Sequence, residues 1–129
     1  MKKVFNFIPS FEGCAPFPCV LVKDTYANNN RLAVSIVDLE TGECWDTITV
    51  NLPAELLIGS LDSSNFIDTN NVSEAIDFLE SNNIATFTGN YGFSGFCVYP
   101  EYTFNLECLI TYEEFNSIYN EYYGGKDNA

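Results

Sequence analysis

Apolar and polar positions alternate along most of this chain, and only two stretches switch to a helical period. Val4–Ile8 reads as a short first strand that runs into Pro9. Residues 9–18 then read as a turn-rich loop, with Pro9, Gly13, Pro16 and Pro18 as its punctuation. Val20-Leu21-Val22 belongs to a second strand. Asn28-Asn29-Asn30 marks a turn, because Asn tolerates the left-handed backbone region. Leu32, Val34 and Ile36 alternate with Ala33 and Ser35, the period of a half-buried strand. Thr41-Gly42 turns the chain into Trp45–Val50, where Ile48 and Val50 alternate with Thr47 and Thr49, so these two runs predict a β-hairpin. Trp45 falls on the Thr-rich face of its strand and reads as a core or edge-packing residue.

The first helical stretch opens at Asn71, with Glu74 three residues on as a cap-like pairing. Val72, Ala75, Ile76 and Leu79 share one face, while Glu74, Asp77 and Glu80 form an acidic stripe on another. Asn82-Asn83 ends it. Residues 84–109 read as two extended segments around a Gly-rich turn. Thr111 with Glu114 makes a Thr-x-x-Glu capping box for a last helix, buried through Phe115, Ile118, Tyr119 and Tyr122 and stopped by Gly124-Gly125. Strands joined by short turns, then helix, strands, helix, predict an α+β fold: an antiparallel sheet of about five to six strands with two helices packed on one face. The expected organisation is a single acidic α+β domain over residues 1–123 and a flexible tail over 124–129.

Composition agrees with a packed domain. The chain has 129 residues, 47% of them hydrophobic and 16% aromatic. A chain of this length buries roughly two thirds of its unfolded surface and needs neither metal nor disulfide to fold. The apolar run at Val4–Ile8 is shorter than the roughly 7–15 residues of a signal-peptide core. No run approaches the roughly 20 residues of a membrane span. The expectation is an intracellular, cytoplasmic protein.

Charge changes the picture most. There are 18 acidic residues against 5 basic ones, a net charge of −13. No Lys or Arg lies between Arg31 and Lys126. Such a surface is repelled by nucleic-acid phosphates and anionic membranes and is steered to basic surfaces. It forfeits surface ion pairs and adds self-repulsion, more than solubility requires. Two acidic groups are the candidate partner-binding residues: Glu74, Asp77 and Glu80 on the first helix, and Glu113, Glu114 and Glu121 on the last. The fitting partner is a basic protein surface, met by a monomer or a dimer, with no direct nucleic-acid binding.

Candidate chemistry is thin. The absence of histidine removes His-assisted triads, His metal ligands and the usual neutral-pH general base. There is no Walker loop, and Gly92-x-x-Gly95 is a turn between strands, not a dinucleotide fingerprint. The chain is therefore expected not to be an enzyme and to carry no catalytic residue. Five cysteines remain. They read as reduced, partly buried small hydrophobes. The alternative is an all-thiolate zinc site from Cys14, Cys19, Cys97 and Cys108, although the second pair is spaced far wider than a zinc knuckle. An odd count argues against a disulfide framework.

Aromatic residues crowd the segment from Tyr91 to Phe104. Strand alternation sends every second ring into the core and leaves an exposed remainder, for which Tyr91, Phe93, Tyr99 and Tyr102 are the candidates. Aromatic side chains with an acidic rim have the composition of an interface centre.

The stretches DTYANNNRLAVSI, TVNLP, FIDTNN and TGNYGFSGFCVYPEYTFN resemble a domain-of-unknown-function family found on phages and conjugative elements of Gram-positive bacteria, over roughly residues 20–110. The family offers no catalytic residues to carry over. Cys97 lies in a matching stretch, whereas Cys14 and Cys19 do not, which counts against zinc. The setting implied by the resemblance is that of small acidic anti-CRISPR and anti-restriction proteins that imitate DNA. The resulting expectation is an inhibitor of a DNA-targeting defence complex such as a Cas nuclease. Two alternatives stand beside it: an accessory protein that docks on an element-encoded partner through the aromatic patch, and a small structural zinc module.

Overall fold

A computed structural model describes residues 3–10, 13–52 and 62–121. Among the described residues nine strands and two α-helices follow one another as β1 (Phe5–Phe7), β2 (Phe17–Thr25), β3 (Leu32–Asp38), β4 (Cys44–Thr47), β5 (Thr49–Val50), β6 (Ser64–Ile67), α1 (Ala75–Ser81), β7 (Ala85–Ser94), β8 (Cys97–Phe104), β9 (Leu109–Ile110) and α2 (Tyr112–Tyr119). The fold is α+β, as the alternation and the two helical stretches predict. The expected tail over 124–129, the Gly124-Gly125 stop and Tyr122 lie outside the described residues.

The strands divide between two sheets where the sequence suggests one. The first runs β1-β2-β3-β4. β9 lies parallel to β2 at Leu21–Val22, on the edge that β1 occupies antiparallel at Phe17–Cys19. The second runs β5-β6-β8-β7 and is antiparallel throughout. The expected hairpin strand Trp45–Val50 is divided between them. Its first part, β4, pairs with β3, and its last part, β5, pairs with β6. Ile48 is the crossing point. Its N–H donates to the Val34 carbonyl at 2.9 Å, and its carbonyl accepts from the Asp68 N–H at 2.8 Å. One residue is thus bonded to both sheets, and its side chain is fully buried between them.

The main core fills the space between the sheets. Cys19, Leu21, Val34 and Ile36 of the first sheet meet Ile67, Ala85, Tyr102 and Phe104 of the second, with Phe5, Phe7 and the α1 residues Ala75, Phe78 and Leu79. Trp45 packs here, its ring 4.8 Å from Phe7 and 6.3 Å from Phe17, in the packing role its sequence position suggests. Two polar side chains tie the sheets across this seam. Arg31 Nη2 donates to the Ser64 carbonyl at 2.6 Å, and Asn65 Nδ2 donates to the Leu32 carbonyl at 2.7 Å.

The opposite face of the first sheet carries Val20, Val22 and Val37, covered by Phe115 of α2 with Ile118 and Tyr119. The two helices therefore sit on opposite faces of that sheet, not together on one. Successive strand residues point to opposite faces. The run Cys19–Val22 is buried at every position, so both faces need a cover.

Both helices begin near the expected residues, by different means. α2 has the predicted capping box: the Thr111 hydroxyl accepts from the Glu114 N–H, and the Glu114 carboxylate accepts from the Thr111 N–H, each at 3.1 Å. α1 starts four residues later than Asn71 suggests. The Asp68 carboxylate captures the Asn71 N–H at 3.2 Å and its side-chain amide at 2.9 Å, so this Asn closes a turn instead of capping a helix. The N-cap of α1 is Glu74, without a side-chain cap bond.

Candidate functional site

Two surfaces combine exposure with a distinctive composition. The first is a groove of about 820 Å³ between β1 and α1, lined by Asn6, Ile8, Glu74, Asp77, Phe78, Glu80, Ser81 and Asn82. The three-residue spacing on α1 brings Glu74, Asp77 and Glu80 to one side of the helix, and Ile8 and Phe78 supply apolar lining below them. Two carboxylates are fixed from outside the helix. The Ser10 N–H donates to Glu74 Oε2 at 2.8 Å, and the Tyr102 hydroxyl donates to Glu80 Oε2 at 3.0 Å. Burial first, and then the Glu80 carboxylate, pushes the Tyr102 phenol up to about 12. Tyr102 therefore remains a donor throughout the neutral range.

The second acidic group does not join the first. Glu113, Glu114 and Glu121 belong to α2 and its end, across the first sheet from α1. Glu114 is already engaged. It completes the capping box and meets Lys3 Nζ at 3.5 Å, in the one ion pair among the described residues. The Thr111 N–H, and then Lys3, hold its carboxyl below the ordinary value. Arg31 is buried, which leaves Lys23 beside the paired Lys3 as the other described cation near the surface.

The second surface is the β7–β8 hairpin. Its register pairs Phe87 with Tyr102, Tyr91 with Pro100 and Phe93 with Val98. Directly opposed residues share a face, and so do alternate residues of β8. These six side chains therefore form a single apolar face. At its base Tyr102 enters the core; further out Phe87, Tyr91, Phe93 and Val98 are exposed. The Phe87 ring lies 5.3 Å from Tyr91 and 5.6 Å from Tyr102. A two-residue turn, Gly95-Phe96, ends the hairpin, with Gly95 at φ +60° and Phe96 fully exposed at the tip.

The other face of the hairpin is covered. Tyr99 packs with Leu52 and Phe66. Gly92 lies so close that a Cβ there would collide with the Leu52 side chain and come within 2.8 Å of the Phe66 ring. Of the four aromatic candidates, Tyr91 and Phe93 are thus exposed, whereas Tyr99 and Tyr102 are buried. Phe87, Phe96 and Val98 complete the patch. Glu101, absent from the sequence-derived candidates, is buried in β8 and accepts from the Thr88 hydroxyl at 2.9 Å and the Asn90 amide at 3.3 Å. It pins the bulge between Phe87 and Tyr91, where Gly89 takes φ +95°. Its alternation with Tyr99 along β8 was the signal that it points inward.

The cysteines do not assemble. Cys14 and Cys44 are exposed, Cys19 and Cys108 are buried and Cys97 is partly buried. Burial, and then Asp38, pushes the Cys19 thiol up to about 12, so it behaves as a neutral core group. Among the described residues no three Cys, Asp or Glu side chains come together in a metal-binding group. No helix among them is long and apolar enough to cross a membrane.

No match was found among curated proteins or among solved structures. A family model does match, over residues 20–122, a span that takes in most of β2 and every element after it, and by it the chain belongs to the domain-of-unknown-function family DUF4313.

Proposed function

We propose that this domain is a non-enzymatic protein-binding inhibitor that offers its α1 groove to a basic surface, such as the DNA-binding channel of a host DNA-targeting defence complex. The observation that carries the reading is the groove itself: Glu74, Asp77 and Glu80 stand together above apolar lining, in a chain of net charge −13. An Arg or Lys side chain lays its aliphatic stem on apolar surface while its charged head meets a carboxylate. A nuclease channel, built to hold phosphates, offers many such side chains. Because the α2 carboxylates lie across the sheet, the reading narrows from both acidic groups to α1. The mobile-element setting and a cytoplasmic location belong to the same proposal.

A test is capture of partners from a host lysate at low and high salt with the parent and with the variant Glu74→Lys/Asp77→Lys/Glu80→Lys. Recovery of a DNA- or RNA-guided nuclease at low salt, lost at high salt and lost in the variant, is the expected result. A nuclease captured equally by parent and variant would end the α1 reading. A second reading, docking on an element-encoded partner through the aromatic hairpin, is favoured by the exposure of Tyr91 and Phe93. It predicts capture that survives high salt.

A further inference from the structure

The hairpin face is a different surface from the acidic groove, and its argument does not rest on that reading. From Ser81 to Pro100 the chain carries no charged residue, although the whole molecule has 18 acids. Within this uncharged stretch the exposures are 38% for Phe87, 55% for Tyr91, 59% for Phe93, 47% for Val98 and 107% for Phe96. Taking about 200 Å² for a whole aromatic residue and somewhat less for Val98, the face residues Phe87, Tyr91, Phe93 and Val98 expose on the order of 400 Å², and Phe96 at the tip adds about 200 Å². That is near the top of the roughly 300–600 Å² found for the largest patch on a monomer. It is also a large part of the about 800 Å² that each partner contributes to a standard interface.

We infer that the outer face of the β7–β8 hairpin is a self-association surface, on which a second copy of this chain packs face to face about a two-fold axis. The occupant follows from charge and geometry. Two copies at −13 each repel one another over most of their surfaces, and the hairpin face, whose exposed side chains carry no charge, is where their carboxylates oppose one another least. A two-fold contact uses the same patch twice, so Phe87, Tyr91, Phe93 and Val98 of one copy meet the same residues of the other. Pairing along the free edge of β7 is a poorer route, because the bulge between Phe87 and Tyr91 interrupts the strand and turns its edge. Face packing leaves the bulge and its Glu101 anchor undisturbed.

The experiment is sedimentation equilibrium of the full chain over micromolar to sub-millimolar concentrations, at low and high NaCl, with Phe93→Glu and Ile8→Glu as variants. Both substituted positions are well exposed, so neither change needs the core to adapt. The parent is expected to move from the 14.5 kDa monomer toward twice that mass. Salt should strengthen the dimer by screening the mutual repulsion, opposite to its effect on an acid–base complex. Phe93→Glu should weaken dimerisation at least about tenfold, whereas Ile8→Glu, which adds the same charge outside the patch, should weaken it far less. A parent that stays monomeric at high salt and high concentration overturns the inference. So does Phe93→Glu dimerising as well as Ile8→Glu. Binding of the monomeric parent to neutral phosphatidylcholine vesicles, abolished by Phe96→Ser, would assign the patch to a lipid surface instead. Nuclease capture lost in the α1 variant while the parent stays monomeric refutes this inference alone, whereas capture equal in parent and α1 variant while the parent dimerises refutes the groove reading alone.

Discussion

The α1 groove and the β7–β8 hairpin are joined by the core they share and by the Tyr102–Glu80 hydrogen bond, and their exposed surfaces differ in nearly everything. The groove holds three carboxylates within one short helix, the hairpin none on its exposed face. The groove side is charged over lining that the core supplies. The hairpin side is apolar over a strand pair that extends beyond the core. Charge acts at a distance and is screened by salt; apolar contact acts at short range and is not. A molecule that separates the two can discriminate between two kinds of partner by ionic strength alone. Their junction is the Tyr102–Glu80 bond, with Tyr102 buried at the base of the hairpin and Glu80 on the rim of the groove.

The largest expected stability effect falls on the hairpin. In Glu101→Ala the Thr88 hydroxyl and the Asn90 amide lose a buried acceptor, and the bulge loses its anchor. Leaving the donors of a buried hydrogen-bonded network without their acceptor costs about 2 kcal/mol. Urea unfolding should report that loss. Amide exchange should quicken in β7 ahead of α1, if the two regions differ in local stability as their packing implies. Equal acceleration in both would show that hairpin and groove open as one unit, and the contrast between them would fail.

Parts of this contrast were legible in the sequence. Helical spacing alone put Glu74, Asp77 and Glu80 on one stripe, and period-two alternation alone predicted that only some rings between Tyr91 and Phe104 would be exposed. Other parts were hidden for physical reasons. The alternation through Thr47-Ile48-Thr49-Val50 is unbroken, so nothing local marks Ile48 as the crossing between sheets; its bonds to Val34 and Asp68 are tertiary. β6 escapes a sequence reading because Ser64-Asn65-Phe66-Ile67 is buried at all four positions, with the Ser64 hydroxyl satisfied by Thr103 in its own sheet and the Asn65 amide by Leu32 in the other, which leaves no alternation to read. The separation of the helices did have a signal. Cys19–Val22 is apolar at four consecutive positions, the mark of a strand covered on both faces. Asn71 was ambiguous by chemistry, since the same side chain serves caps and turns.

A smaller change tests the junction. Tyr102→Phe keeps the ring in the core and removes the donor to Glu80, at a cost of about 1 kcal/mol. Glu80 is exposed and regains water, so the groove should keep its affinity for a basic partner within about twofold. A fall of tenfold or more would mean that Tyr102 positions the carboxylate, and that the hairpin base belongs to the groove rather than lying beside it.

The smallest effect is expected at α2, which lies outside both regions and serves as the reference for acidity outside the groove. Glu114→Gln keeps an acceptor for the Thr111 N–H but loses the charge that meets Lys3. The folded carboxyl is held below its ordinary value of 4.5, so its contribution is present at neutral pH and disappears as pH falls through that lowered value. The parent should therefore melt slightly higher than Glu114→Gln near neutrality, and the two melting curves should converge as the pH drops below 4.5. Capture of a basic partner should be unchanged. If Glu114→Gln instead weakens capture as strongly as the α1 reversal, carboxylates on both sides of the first sheet act together, and the acidic surface must be treated as one field rather than as a groove with a bystander.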